Sequence, residues 1–114
     1  MKEINELLPK CTHIQRKMVA DMILSAAEYV RAVTIMETAR ANVADRDAEE
    51  ARELKESTDR ARSNAHNDLI ACVNAVNRIC DKHGVPRVYT GGEARREYGD
   101  FALSLVSSVF INRH

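Results

Sequence analysis

The sequence predicts an all-α protein: a long antiparallel helical hairpin with a shorter carboxy-terminal helix packed on it, a three- to four-helix bundle in one domain spanning residues 1–114. Three observations carry this reading. No glycine or proline interrupts residues 12–44, and the next strong stop is Gly84 with Pro86. Apolar residues recur at three- and four-residue steps, the period of one helix face. Aromatic residues make up only 4% of the chain and tryptophan is absent. The core must therefore be built from Ala, Val, Ile, Leu and Met, which suits closely packed helices better than a β-sandwich.

Each element has its own signals. Residues 2–8 predict a short helix that Pro9 ends, because proline disfavours helix at the residue before it. Thr12 and Gln15 have the spacing of a capping box and open a helix over about 12–44. Its apolar face is Ile14, Met18, Met22, Tyr29, Val33 and Met36, widened by Val19, Ile23, Ala27 and Val30. Asn42, Asp45 and Asp47 supply turn and N-cap chemistry, with the reversal near Asp45. Asp47 and Glu50 again have capping-box spacing, and a second helix over 46–83 runs to the Gly84–Pro86 stop. Its first half is charged and supports itself with opposite charges four apart, as in Lys55–Asp59 and Glu56–Arg60. The inward positions there are small: Ala48, Ala51, Leu54, Thr58, Ala61 and Ala65. Its second half is apolar through Leu69, Cys72, Val76 and Ile79, with Ile70 and Val73 alongside. Residues 84–92 read as a loop. Thr90 and Glu93 have the spacing of a third capping box for a helix over 93–111, with Gly99 as a weak point that moves the start toward Asp100. Phe101, Leu105, Val109 and Phe110 form its face, widened by Leu103 and Val106.

That face predicts that the last helix covers the apolar half of the hairpin and leaves the charged, alanine-lined half bare. Two helices of over 30 residues reach roughly 50 Å at 1.5 Å per residue, and an uncovered hairpin of that length buries little. Alanine faces permit close approach, so a second copy covering that end, as a homodimer, is the expected partner.

Charge and composition narrow the function classes. Lysine plus arginine equal aspartate plus glutamate, at 17 each, and no third of the chain departs far from neutrality. Nucleic-acid binding needs clustered cations, so it is not favoured. The three cysteines, Cys11, Cys72 and Cys80, follow no disulfide framework and fit a reducing, cytoplasmic setting. Met1-Lys2-Glu3 lacks an apolar signal core, and no run of about 18 apolar residues predicts a membrane span.

Three constellations bear on chemistry. Arg60, Asn64, Asn67, Asn74 and Arg78 step along one face of the second helix, with Asn77 and His66 beside it. Asparagine is a poor helix former, so the stripe is a candidate ligand surface. The plainer readings are a solvated face, or side chains bonded across the bundle to fix its register. Second, Arg60-Ala61-Arg62-Ser63-Asn64-Ala65-His66 resembles the Arg-x4–6-His signature of HEPN ribonucleases, small helical proteins that dimerise to form their site. The resemblance implies His66 as acid/base and Arg60 as phosphate-stabilising group. It departs from the family in having Ala61 where a polar residue follows the arginine, and residues six apart on one helix diverge by about 240°. Third, an antiparallel hairpin brings Cys11 and His13 toward Cys80 and His83, a zinc-like donor set, though Cys80 also fits the apolar stripe. No metal and no cofactor is favoured. There is no Glu-x-x-His di-iron pair, phosphate-binding glycine loop or serine elbow.

Asp59–Cys80, DRARSNAHNDLIACVNAVNRIC, is similar to segments of small uncharacterised bacterial all-helical proteins, through Asp59, Arg60, Arg62, His66, Asn67, Leu69, Ile70, Asn74, Asn77 and Arg78. That resemblance implies a helical fold and no assigned activity. Taken together, the sequence points to a non-enzymatic helical protein acting through protein contacts. An HEPN-like nuclease and a small-ligand binder on the asparagine stripe are the alternatives.

Overall fold

A computed structural model describes residues 1–111, with side chains through residue 109. Four α-helices appear in the order α1 (Lys2–Leu7), α2 (His13–Ala41), α3 (Ala48–His83) and α4 (Arg95–Val106), with no strand among the described residues. A 3-10 turn, Leu8–Lys10, carries Pro9 between α1 and α2, and a second, Val43–Asp45, makes the reversal between α2 and α3. A π turn, Ser107–Ile111, extends α4.

The local signals act through named bonds. The Thr12 hydroxyl accepts from the Gln15 N–H, and the Thr12 N–H donates to Gln15 Oε1, so the capping box is complete. Asp47 accepts from the Glu50 N–H at 2.9 Å and caps α3. Gly84 ends α3 in the left-handed region at φ 66°, which glycine adopts without steric cost. The third capping box does not form. Helix α4 begins two residues later than Glu93, with Ala94 as a cap that has no side-chain acceptor, and it runs through Gly99 without a break.

α2 and α3 pack antiparallel along their length, and α4 lies on the apolar half of that pair. It starts beside Tyr29, whose hydroxyl donates to the Arg95 carbonyl at 3.2 Å, and returns to the amino terminus, where the Met1 ammonium donates to Ser108. The core joins Ile4 and Leu7 of α1, Val19, Met22, Ala26 and Tyr29 of α2, Leu69, Val73, Val76 and Cys80 of α3, and Tyr98, Phe101 and Leu105 of α4. Beyond α4 the hairpin continues as a two-helix tip in which Met36, Ala39 and Thr58 are buried. The molecule measures 54 × 29 × 23 Å, and its radius of gyration of 16.4 Å exceeds the ~13 Å of a spherical domain near this size.

The packing corrects four sequence readings, one of them Ala48, which was assigned inward and is exposed. Ile14 and Leu103, assigned to inner faces, are 72% and 55% exposed. On α3 the buried seam passes through Thr58, Arg62 and Leu69, so Arg62 takes the inward place assigned to its neighbour Ala61, which is exposed. One helical position is a rotation of about 100°, enough to exchange an alanine for an arginine. The inward place assigned to Phe110 lies outside the described side chains.

Candidate functional site

The α2–α3 pairing brings the start of one helix beside the end of the other. His83 Nε2–H donates to Gln15 Oε1 at 2.9 Å. Cys11 and Cys80 are near neighbours, and burial pushes both thiols up, Cys80 with a further push from Cys11. His83 is spoken for by Gln15, and His13 is exposed. Among the described residues no three His, Cys, Asp or Glu side chains gather as a metal set.

The asparagine stripe divides. Arg60, Asn64, Asn67, Asn74 and Arg78 are exposed and form one solvent-facing row. Asn77 is buried, and it bonds neither outward nor to α2. Its Nδ2–H donates to the Tyr89 carbonyl at 2.9 Å, and its Oδ1 accepts from the Val88 N–H at 3.0 Å. Asn77 thus pins the 84–92 loop onto α3. Arg87 does the same at the rim, donating twice to Asp81 at 3.0 and 2.7 Å and holding that carboxyl below its ordinary range.

Arg60 and His66 diverge. Arg60 lies two residues, or about 200°, from the buried Arg62. His66 is half-buried between the rings of Tyr29 and Tyr98, each centroid 5.6 Å away, and its Nε2–H donates to the Glu93 carbonyl at 2.9 Å. His66 and Tyr29 therefore hold the two carbonyls that bracket Ala94, fixing where α4 begins.

Fixing that start brings Arg95 to a polar cluster that the sequence reading missed. Asp59 Oδ1 lies 3.4 Å from Arg62 Nε, 3.8 Å from an Arg95 Nη and 3.9 Å from an Arg40 Nη. One carboxylate thus faces a guanidinium from each of three helices. Arg62 is 2% exposed, and its Nη1 is covered with no hydrogen-bond partner among the described residues. A buried polar atom left unpaired costs about 1–3 kcal/mol, and more when charged. The signal was available in the spacing: Thr58, Arg62, His66, Leu69, Val73 and Val76 step by four or three along one face.

Among the described residues no helix lies on the other side of the hairpin. Two adjoining troughs there share Glu28, Ala61 and Ala65. One, of about 600 Å³, continues past Leu24, Asp68 and Ala71. The other, of about 240 Å³, continues past Arg31, Ala32 and Ile35. Leu24 and Ile35 stand at its ends, 60% and 48% exposed.

A family model described as "Protein of unknown function (DUF3232)" matches residues 2–114. The chain belongs to that family. No curated protein and no solved structure matches it. The DUF3232 match spans α1 through α4, and so includes both the arginine cluster and the bare hairpin face. No helix among the described residues is long and apolar enough to cross a membrane.

Proposed function

We propose that the protein acts through protein contacts as a homodimer, paired along the bare α2–α3 face, and not as an enzyme. One observation carries this reading: the exposed edge of α2 is complementary to itself when reversed. Leu24, Glu28, Arg31 and Ile35 follow at steps of four, three and four, so they share a face. Two copies of α2 running antiparallel about a two-fold axis between Glu28 and Arg31 bring Leu24 against Ile35 of the second copy, and Glu28 against its Arg31. Apolar meets apolar and acid meets base, as an isologous interface requires. The small residues Ala32, Ala61 and Ala65 let the backbones approach, and the product is a four-helix bundle. Within one chain Glu28 and Arg31 are only 3.9 Å apart and about 70% exposed, a pairing of little worth until it is covered.

The three cysteines, at no disulfide-framework spacing, fit a reducing, cytoplasmic setting for this dimer.

Light scattering tests the reading. The wild type is expected at twice the 12.8 kDa of one chain. Leu24→Glu with Ile35→Glu yields a folded monomer, helical by circular dichroism. Glu28→Arg alone weakens the dimer by like-charge contact, and adding Arg31→Glu restores it. A monomeric wild type at micromolar concentration rejects the proposal.

A further inference from the structure

The arginine cluster opens into a groove between α2 and the start of α4, on the side of the hairpin away from the dimer face. Its volume is about 580 Å³, within the range of small-molecule sites. Arg40, Arg62, Arg95 and Arg96 line it, and Val30, Val33 and Leu103 give it an apolar wall. Glu37 and Asp100 line it too.

Three features of this groove point to an anion. Among the described residues Asp59 is the one carboxylate within 4 Å of Arg40, Arg62 and Arg95, so three guanidinium groups share a single negative charge. Arg62 is buried at the base with Nη1 lacking an acceptor among the described residues. α4 has 12 residues, begins at the groove, and has no side-chain cap; Glu97 in its first turn offsets part of the positive end of its dipole, and the remainder favours an anion there. The same features limit the ligand's size. Four arginines stand against three carboxylates, Asp59, Glu37 and Asp100, so the groove's small net positive charge suits one compact anionic group better than a polyanion. Arginine forks match the oxygens of a phosphoryl group, which carries up to two negative charges at neutral pH. The apolar wall matches a body attached to that group.

We infer that this groove binds a small phosphate monoester with an apolar or aromatic body. The phosphoryl oxygens accept from Arg40 and Arg95 at the mouth, above the acceptor-short Arg62. The body lies along Val30, Val33 and Leu103. Binding brings an anion above Arg62 and adds to the negative charge that Asp59 supplies to the three guanidinium groups. His66 and Tyr29 act on the site as positioning residues, because they hold the backbone that presents Arg95.

Titration of the full chain with phenyl phosphate, inorganic phosphate and benzoate, followed by calorimetry and methyl NMR, tests this. Phenyl phosphate is expected to saturate and to move the methyl signals of Val30, Val33 and Leu103 by its ring current. Arg95→Gln and Arg40→Gln, both at exposed positions, each weaken it by about tenfold, the loss of one charge-assisted pair. Arg16→Gln, far from the groove, leaves it unchanged. No saturation at millimolar phenyl phosphate overturns the site, and so does equal affinity in Arg95→Gln and Arg40→Gln. Benzoate or inorganic phosphate binding as tightly as the ester overturns the ligand class. These readouts do not depend on whether the chain dimerises.

Discussion

Asn77 illustrates how a polar residue inside a helix is used once its surroundings are known. Both of its amide atoms are consumed by the loop that follows α3, at Val88 and Tyr89. Val88 is itself buried, so its N–H depends on Asn77 for an acceptor. Asn77→Ala is therefore expected to destabilise the fold by about 1–3 kcal/mol, read from the urea midpoint. Asn74→Ala, on the solvent row, is expected to change it by less than ~0.5 kcal/mol. The two asparagines stand three residues apart, and only the loop distinguishes them. His66 follows the same logic. Its ring is held by two tyrosines and a carbonyl, so its place in the fold is to set the start of α4.

The helix ends differ in how locally they are determined. α2 and α3 start on Thr12 and Asp47 because a side-chain oxygen three residues upstream satisfies a free N–H. α4 starts on Ala94, which supplies no such oxygen, because Tyr29 and His66 hold the flanking carbonyls. At the carboxyl end of α3 the Asp81–Arg87 pair ties helix to loop. The carboxyl of Asp81 sits below its ordinary value of 3.8 because Arg87 donates to it. The unfolded chain thus takes up that proton at higher pH than the native one. The stabilisation is present in full above the ordinary value and is lost as pH falls through the lowered native one. Asp81→Asn is expected to lower the melting temperature at pH 7, and the gap to wild type is expected to close in acid below the carboxylate range. A gap unchanged at low pH would contradict the pairing.

Stability is unevenly spread along the 54 Å of the molecule. The base is sealed by α1 and α4, and Leu69, Val73, Val76 and Cys80 are fully buried there. The tip from Val43 to Leu54 contributes no buried side chain. Hydrogen exchange is expected to be slowest over residues 69–80 and fastest around the Val43–Asp45 turn, with residues 28–35 and 61–65 gaining protection as protein concentration rises through dimer formation. Uniform protection along α3 would show that the tip is covered by something other than a second copy on the bare face.

The helices, their caps at Thr12 and Asp47, the stop at Gly84 and the single reversal near Asp45 were legible in the sequence. These features depend on hydrogen bonds and turn chemistry between residues a few positions apart. The inward turn of Arg62, the use of His66 and Tyr29 to begin α4, and the gathering of Arg40, Arg62 and Arg95 on Asp59 were not. Each depends on the angle at which three helices cross, and a rotation of one position exchanges Ala61 for Arg62 without altering any local signal. Periodicity identifies a face to within about that rotation, whereas burial is decided by which neighbour arrives to cover it.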